Sequence, residues 1–228
     1  MKYKDKLFSV LGDSVSTLEG ASVPEGAEYY TGYCRYESGV KEIKDTWWGR
    51  VIECLGGKLL VNNSISGSTA VYHPSYEEPN YGCSDERTSC LSREEGAPDV
   101  IMVFLGINDW GCGVRPLSSS AEDEGNTRIF SCAYDTMLAK LKGNYPKAEI
   151  WCLTLPFAVC RTEEGYIVPC RGGYHLNTYC EVIRNSAKKH GCRVIELYEQ
   201  VKEMGTVKDV HPNADGMEKI ASAVLEQI

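Results

Sequence analysis

A serine and a histidine near opposite ends of the chain carry its most chemically suggestive positions. Ser14 follows Asp13 where the apolar run "LFSVLG" stops, and His211 stands in "DVHPNADGM", just ahead of the last amphipathic segment. Each has an ordinary structural reading. Asp and Ser are favoured helix N-caps, and a histidine before Pro212 can simply belong to a turn whose proline opens a helix. Taken together they offer nucleophilic catalysis. A serine hydroxyl attacks poorly until a neighbouring base removes its proton, and an imidazole with an intrinsic pKa of ~6.5 can take that proton and later return it.

Such a pair works only if the intervening chain brings it together. Apolar runs alternate with amphipathic segments, the pattern of an α/β domain with a parallel sheet. Strands are predicted at Leu7–Leu11, Lys58–Asn62, Asp99–Leu105, Ala148–Leu155 and Cys192–Leu197, and helices at Thr46–Leu55, Thr127–Asn144, Tyr174–Lys189 and Asn213–Gln227. Three connections, Thr17–Asp45, Val71–Pro98 and Pro156–Gly173, far exceed the usual ~2–6 residues of strand–helix joints. They follow the C-terminal ends of predicted strands, the edge at which open parallel sheets bind ligands.

Composition narrows the class. The 228 residues carry a formal net charge of −8, which argues against a nucleic-acid or anionic-membrane partner. No stretch approaches the ~18 apolar residues of a membrane span. The N-terminus runs directly into a predicted strand without the apolar core of a signal peptide, so the cytoplasm is the expected compartment unless a leader has been removed. The 11 cysteines contain no C-x-x-C spacing, the usual mark of a metal or redox site. Free thiols acting as small hydrophobes are expected, with a disulfide among Cys83, Cys90, Cys160 and Cys170 as the alternative.

Four segments fall in a recognisable order: Gly12-Asp13-Ser14, then "NNSISGST" with Gly67, then Gly106-Ile107-Asn108-Asp109, and finally His211. In that order, most of them at a predicted strand exit, they resemble the SGNH hydrolases, also called GDSL esterases and lipases. The resemblance spans nearly the whole chain. It implies one domain over residues 1–228, built as a three-layer flavodoxin-like sandwich. A central five-stranded parallel sheet would carry helices on both faces and long insertions at its C-terminal edge. It further implies Ser14 as nucleophile, His211 as base, and an oxyanion hole from the backbone N–H groups of Ser14 and Gly67 and the side-chain amide of Asn108. Asp13 would brace the loop. No metal or organic cofactor is required. The absence of G-x-S-x-G argues against an α/β-hydrolase elbow.

One departure matters. The family usually has an Asp three residues before its His, and here Lys208 occupies that position. Asp209, two before His211, projects to the same side in an extended segment. Two arrangements are therefore open: a triad completed by Asp209, or a Ser–His dyad whose ring is held by a backbone carbonyl.

For the substrate, the aromatic residues are the guide. The chain has 14 Tyr and 4 Trp against 4 Phe, many in the insertions (Tyr29, Tyr30, Tyr33, Tyr36, Tyr72, Tyr76, Tyr81), with Trp110 beside Asn108. Rings with polar tips suit sugar faces better than a long acyl chain, although the same residues could merely anchor loops. An O-acetylated carbohydrate is the leading expectation, with lysophospholipase or thioesterase activity as the alternative. Readings from other classes are a carbohydrate-binding module on the same fold, which the missing Asp at 208 keeps open and the retained Ser14, Gly67, Asn108 and His211 count against, and a cysteine-based redox or metal protein, which rests on the thiol count alone.

Overall fold

A computed structural model of the chain describes residues 2–72, 81–157, 170–171, 173–208 and 210–228. Its elements run β1 (Leu7–Gly12), α1 (Gly32–Ser38), α2 (Trp47–Leu55), β2 (Lys58–Ser64), α3 (Asp85–Ser89), β3 (Val100–Phe104), α4 (Ile107–Gly111), α5 (Phe130–Asn144), β4 (Glu149–Leu153), β5 (Cys170–Arg171), β6 (Tyr174–His175), α6 (Leu176–Lys189), β7 (Arg193–Ile195), β8 (Thr206–Val207), β9 (His211–Pro212) and α7 (Ala214–Leu225). Five strands form a parallel sheet in the order β2-β1-β3-β4-β7. That is the flavodoxin-like order. β1 lies second in that order, flanked by β2 and β3, so the chain changes direction across the sheet there, and ligands collect at such switch points.

Layering explains the composition of the strands. α2 packs against α7, while α5 packs against α6 and α3. Every residue of β3 is buried, as expected for a strand covered on both faces. Trp47 and Trp48 at the start of α2 are both fully buried. Local chemistry sets the helix ends: the Thr46 hydroxyl accepts from Gly49 N–H, and Gly56 ends α2 in the left-handed region, which suits glycine.

The five main strands and four long helices stand close to their predicted positions. α5 begins at Phe130 rather than Thr127, because Asn126 draws Arg128 N–H to its side chain and Ile129 N–H to its carbonyl, closing a turn. α6 begins at Leu176, since Tyr174 and His175 pair with Arg171 and Cys170. The short helices α1, α3 and α4 carry too few turns to show a period. Cys83, Cys90, Cys152 and Cys180 are among the free thiols; Cys160 and the side chain of Cys170 lie outside the described residues. Among those residues, no helix is long and apolar enough to cross a membrane.

Under the C-terminal edge of the sheet lie three buried ionisable groups, Asp13, Arg87 and Asp109, each 2% exposed or less. Burial pushes the Asp13 and Asp109 carboxyls up to about 7, against the pull of backbone N–H groups, and the negative charge of Asp109 adds to the shift at Asp13. Burial lowers Arg87 to about 10, so its guanidinium stays charged at neutral pH. Because the unfolded chain releases these carboxyl protons first, the stability that the two groups contribute falls as pH rises from about 4 to about 7. Asp109→Asn removes one such group. The melting temperature of the wild type should therefore fall further between about pH 5 and about pH 8 than that of the variant; parallel curves would show that Asp109 ionises as freely folded as unfolded.

Candidate active site

The site is assembled where the exits of β1, β2 and β3 meet the hairpin of β8 and β9. After β1, the chain turns tightly through Ser14–Ser16, and Asp13 caps the turn by accepting Val15 N–H at 3.0 Å. Gly12 is required by close approach: a Cβ there would lie 2.7 Å from the Ser16 side chain and 2.9 Å from Ser64 Oγ. The turn is held from behind. Ser16 accepts both indole N–H groups, Trp47 at its hydroxyl (3.1 Å) and Trp48 at its carbonyl (2.9 Å), and Asn62 Nδ2 donates to the same carbonyl at 2.8 Å. The Thr17 hydroxyl donates to Ser14 O and accepts Tyr29 N–H, both at 2.9 Å. The buried tryptophans of α2 thus fix the turn that carries Ser14.

His211 arrives on the small antiparallel pair of β8 and β9. Its Nε2 lies 2.9 Å from Ser14 Oγ, across 197 residues of sequence. The first insertion orients it. Tyr29 stacks on the imidazole with ring centroids 3.5 Å apart and planes 6° from parallel, and Tyr30, itself buried, donates its hydroxyl to Pro212 O at 2.6 Å. Asn213 then caps α7 by accepting Gly216 N–H. Asp209 lies outside the described residues.

Gly67 occupies the turn after β2 with φ +78°, a conformation open to glycine without strain. The adjoining Ser68 carbonyl accepts Asn108 Nδ2 at 2.8 Å. That bond uses one of the two amide hydrogens of Asn108, whose side chain is half-buried between the buried Ile107 and Asp109. The Asp109 carboxyl turns inward and accepts Ala70 N–H (2.9 Å) and Val71 N–H (3.2 Å), tying α4 to the same loop. Ser14 and His211 are therefore in contact, and Gly67 and Asn108 are joined to each other through Ser68.

Not every expected residue has the setting its type suggested. Trp110 is not a platform for ligand; it is 1% exposed and donates its indole N–H to Tyr174 O. Tyr30 is an anchor, and Tyr72 meets Tyr81 edge to face at 5.2 Å. Tyr33 and Tyr36 are exposed, at 78% and 75%. His73 and Tyr76 lie outside the described residues. Arg87 went unnoticed in the sequence, since "SDERTS" falls in the long connection Val71–Pro98 and nothing local signals burial. Asp109 could have been found, because it adjoins Asn108 in a strand-exit motif.

The family model for the GDSL-like lipase/acylhydrolases matches residues 6–156. No curated protein matches the chain at the sequence level. Among solved structures, a protein of Bacteroides uniformis described as a GDSL-like lipase is 29% identical with a TM-score of 0.70, covering 98% of this chain and 95% of its own. A similarly described protein of Bacteroides ovatus is 26% identical with a TM-score of 0.71, covering 98% and 97%. An acetylxylan esterase of Geobacillus stearothermophilus shares the fold at 18% identity and a TM-score of 0.60, covering 100% and 96%. The chain belongs to the GDSL-like lipase/acylhydrolase family and is a carboxylic ester hydrolase of the serine type.

Proposed function

We propose that the protein hydrolyses short-chain acyl esters, with O-acetyl groups on carbohydrate as the substrate class, through an acyl-enzyme on Ser14. The observation that carries this is the 2.9 Å contact between His211 Nε2 and Ser14 Oγ at the switch point of the sheet. His211 takes the Ser14 proton as Oγ attacks the ester carbonyl, then donates it to the departing alcohol. A water deprotonated by the same imidazole releases the acid. Negative charge on the carbonyl oxygen is met by the backbone N–H groups of Ser14 and Gly67 and by the second amide hydrogen of Asn108. Asp13 holds the turn and does not react.

For the carbohydrate, support comes from Tyr33 and Tyr36. They stand three residues apart on α1, the helix that follows Tyr29 and its stack on His211. Residues so spaced share a helix face, and their exposed rings suit the apolar faces of sugars. Two structures that share the fold come from an acetylxylan esterase and a family two carbohydrate esterase.

The test is a panel of p-nitrophenyl esters from acetate to palmitate, together with acetylated xylan fragments. Activity should be highest on acetate and on the sugar esters; rates that climb with chain length would replace the carbohydrate reading with a lipid or thioester acylhydrolase. Ser14→Ala should lower kcat by about 10⁴ or more, and a variant that keeps its activity removes Ser14 as nucleophile. Asn108→Ala should cost about 10²–10³ in kcat with KM little changed. Asp209→Ala separates the two arrangements of the base: a loss near ~10⁴ assigns the carboxylate to a triad, and a loss below about tenfold leaves a dyad.

A further inference from the structure

The second insertion buries a cation that the chemistry above does not use. Arg87, on α3, is 1% exposed. Its Nε donates to Asn63 Oδ1 at 2.6 Å and its Nη1 to Ser68 Oγ at 2.7 Å. Its Nη2 donates to the carbonyls of Gly12 and Asn63, both at 2.9 Å. One planar group thus grips the last residue of β1, the end of β2 and the loop beside Gly67. Ser68 extends the chain of bonds, because its carbonyl receives the side chain of Asn108.

Placing a guanidinium in a protein interior is costly unless its donors are satisfied. Here they meet backbone and side-chain acceptors from separate elements, in a fork geometry that a lysine ammonium does not reproduce. The elements it joins bear Ser14, Gly67 and, through Ser68, Asn108. Oxyanion donors act when they lie ~2.7–3.1 Å from the developing charge, and a misplacement of about 1 Å can lower the rate about 10²-fold.

We propose that Arg87 is a positioning residue for the oxyanion hole, setting the spacing between the Ser14 turn and the Gly67–Ser68 loop and, through Ser68, the aim of the Asn108 amide. The assignment rests on Gly67 and Asn108 being the oxyanion donors. Arg87 touches no substrate and exchanges no proton. A purely structural Arg87 predicts something different: less folded protein and a lower melting temperature, with unchanged turnover at every site that folds.

The test compares Arg87→Lys, Ser68→Ala and the double variant on p-nitrophenyl acetate, with active sites counted by a serine-directed fluorophosphonate. In each single variant, kcat per titrated site should fall about tenfold to 10²-fold while KM stays within about threefold. The double variant should be no more than about threefold below the slower single, because both residues lie in one chain of bonds. Turnover per site within about tenfold of wild type in either single variant, a loss confined to KM, or losses that multiply in the double variant would overturn the proposal. If Arg87→Lys does not fold, Ser68→Ala decides alone through kcat and KM, since it removes only a hydroxyl. Ser14→Ala keeps the two levels apart. Activity that survives it sinks the nucleophile assignment, whereas full dependence on Ser14 with normal turnover in the Arg87 and Ser68 variants overturns only the positioning role.

Discussion

Parallel pairing forces every strand of a sheet to finish on the same edge, and the chemistry of this protein depends on that constraint. Gly12 of β1 lies in register with Ser64 of β2 and Phe104 of β3. The residues that follow each strand therefore emerge side by side, although they are separated by dozens of residues in sequence. Ser14, Gly67 and Asn108 are the residues so delivered. His211 comes by a different route, on a short hairpin ahead of α7, and its contact with Ser14 closes the site from the opposite end of the chain.

Rigidity at that edge comes from buried polar groups rather than from apolar packing alone. The Ser14 turn is held by two indole N–H groups and an amide on Ser16, the Gly67 loop by Asp109 and Arg87, and the His211 hairpin by Tyr29 and Tyr30. Removing one partner of such a buried bond leaves the other unsatisfied. The arrangement thus exchanges some stability for fixed geometry: two carboxyls are held in a setting that disfavours their charge, beside one guanidinium. An active site whose donors must not reorganise during reaction benefits from that exchange.

The insertions divide their labour by exposure. In the first, Tyr29 and Tyr30 turn inward and serve the histidine, while Tyr33 and Tyr36 face solvent one helical turn further on. In the second, Arg87 is buried and ties the Gly67–Ser68 loop to the ends of β1 and β2. Loops that look like ornament at the sheet edge thus supply both the support of the site and the surface next to it.

Much of this was legible in the sequence because local chemistry dictates it. Strands covered on both faces read as continuous apolar runs, caps and glycines mark helix ends, and the order of Ser14, Gly67, Asn108 and His211 along the chain carries the resemblance to the SGNH hydrolases that implies acyl transfer. The short helices were not legible, because five to seven residues carry no period. Nor were the burial of Trp110 and of Arg87, since a residue type does not reveal which neighbours will enclose it. Residue order decided which groups could meet at the edge of the sheet. Only the tertiary structure decided which did, because burial and hydrogen-bond partners come from segments far apart in the chain, and no local pattern encodes their distance.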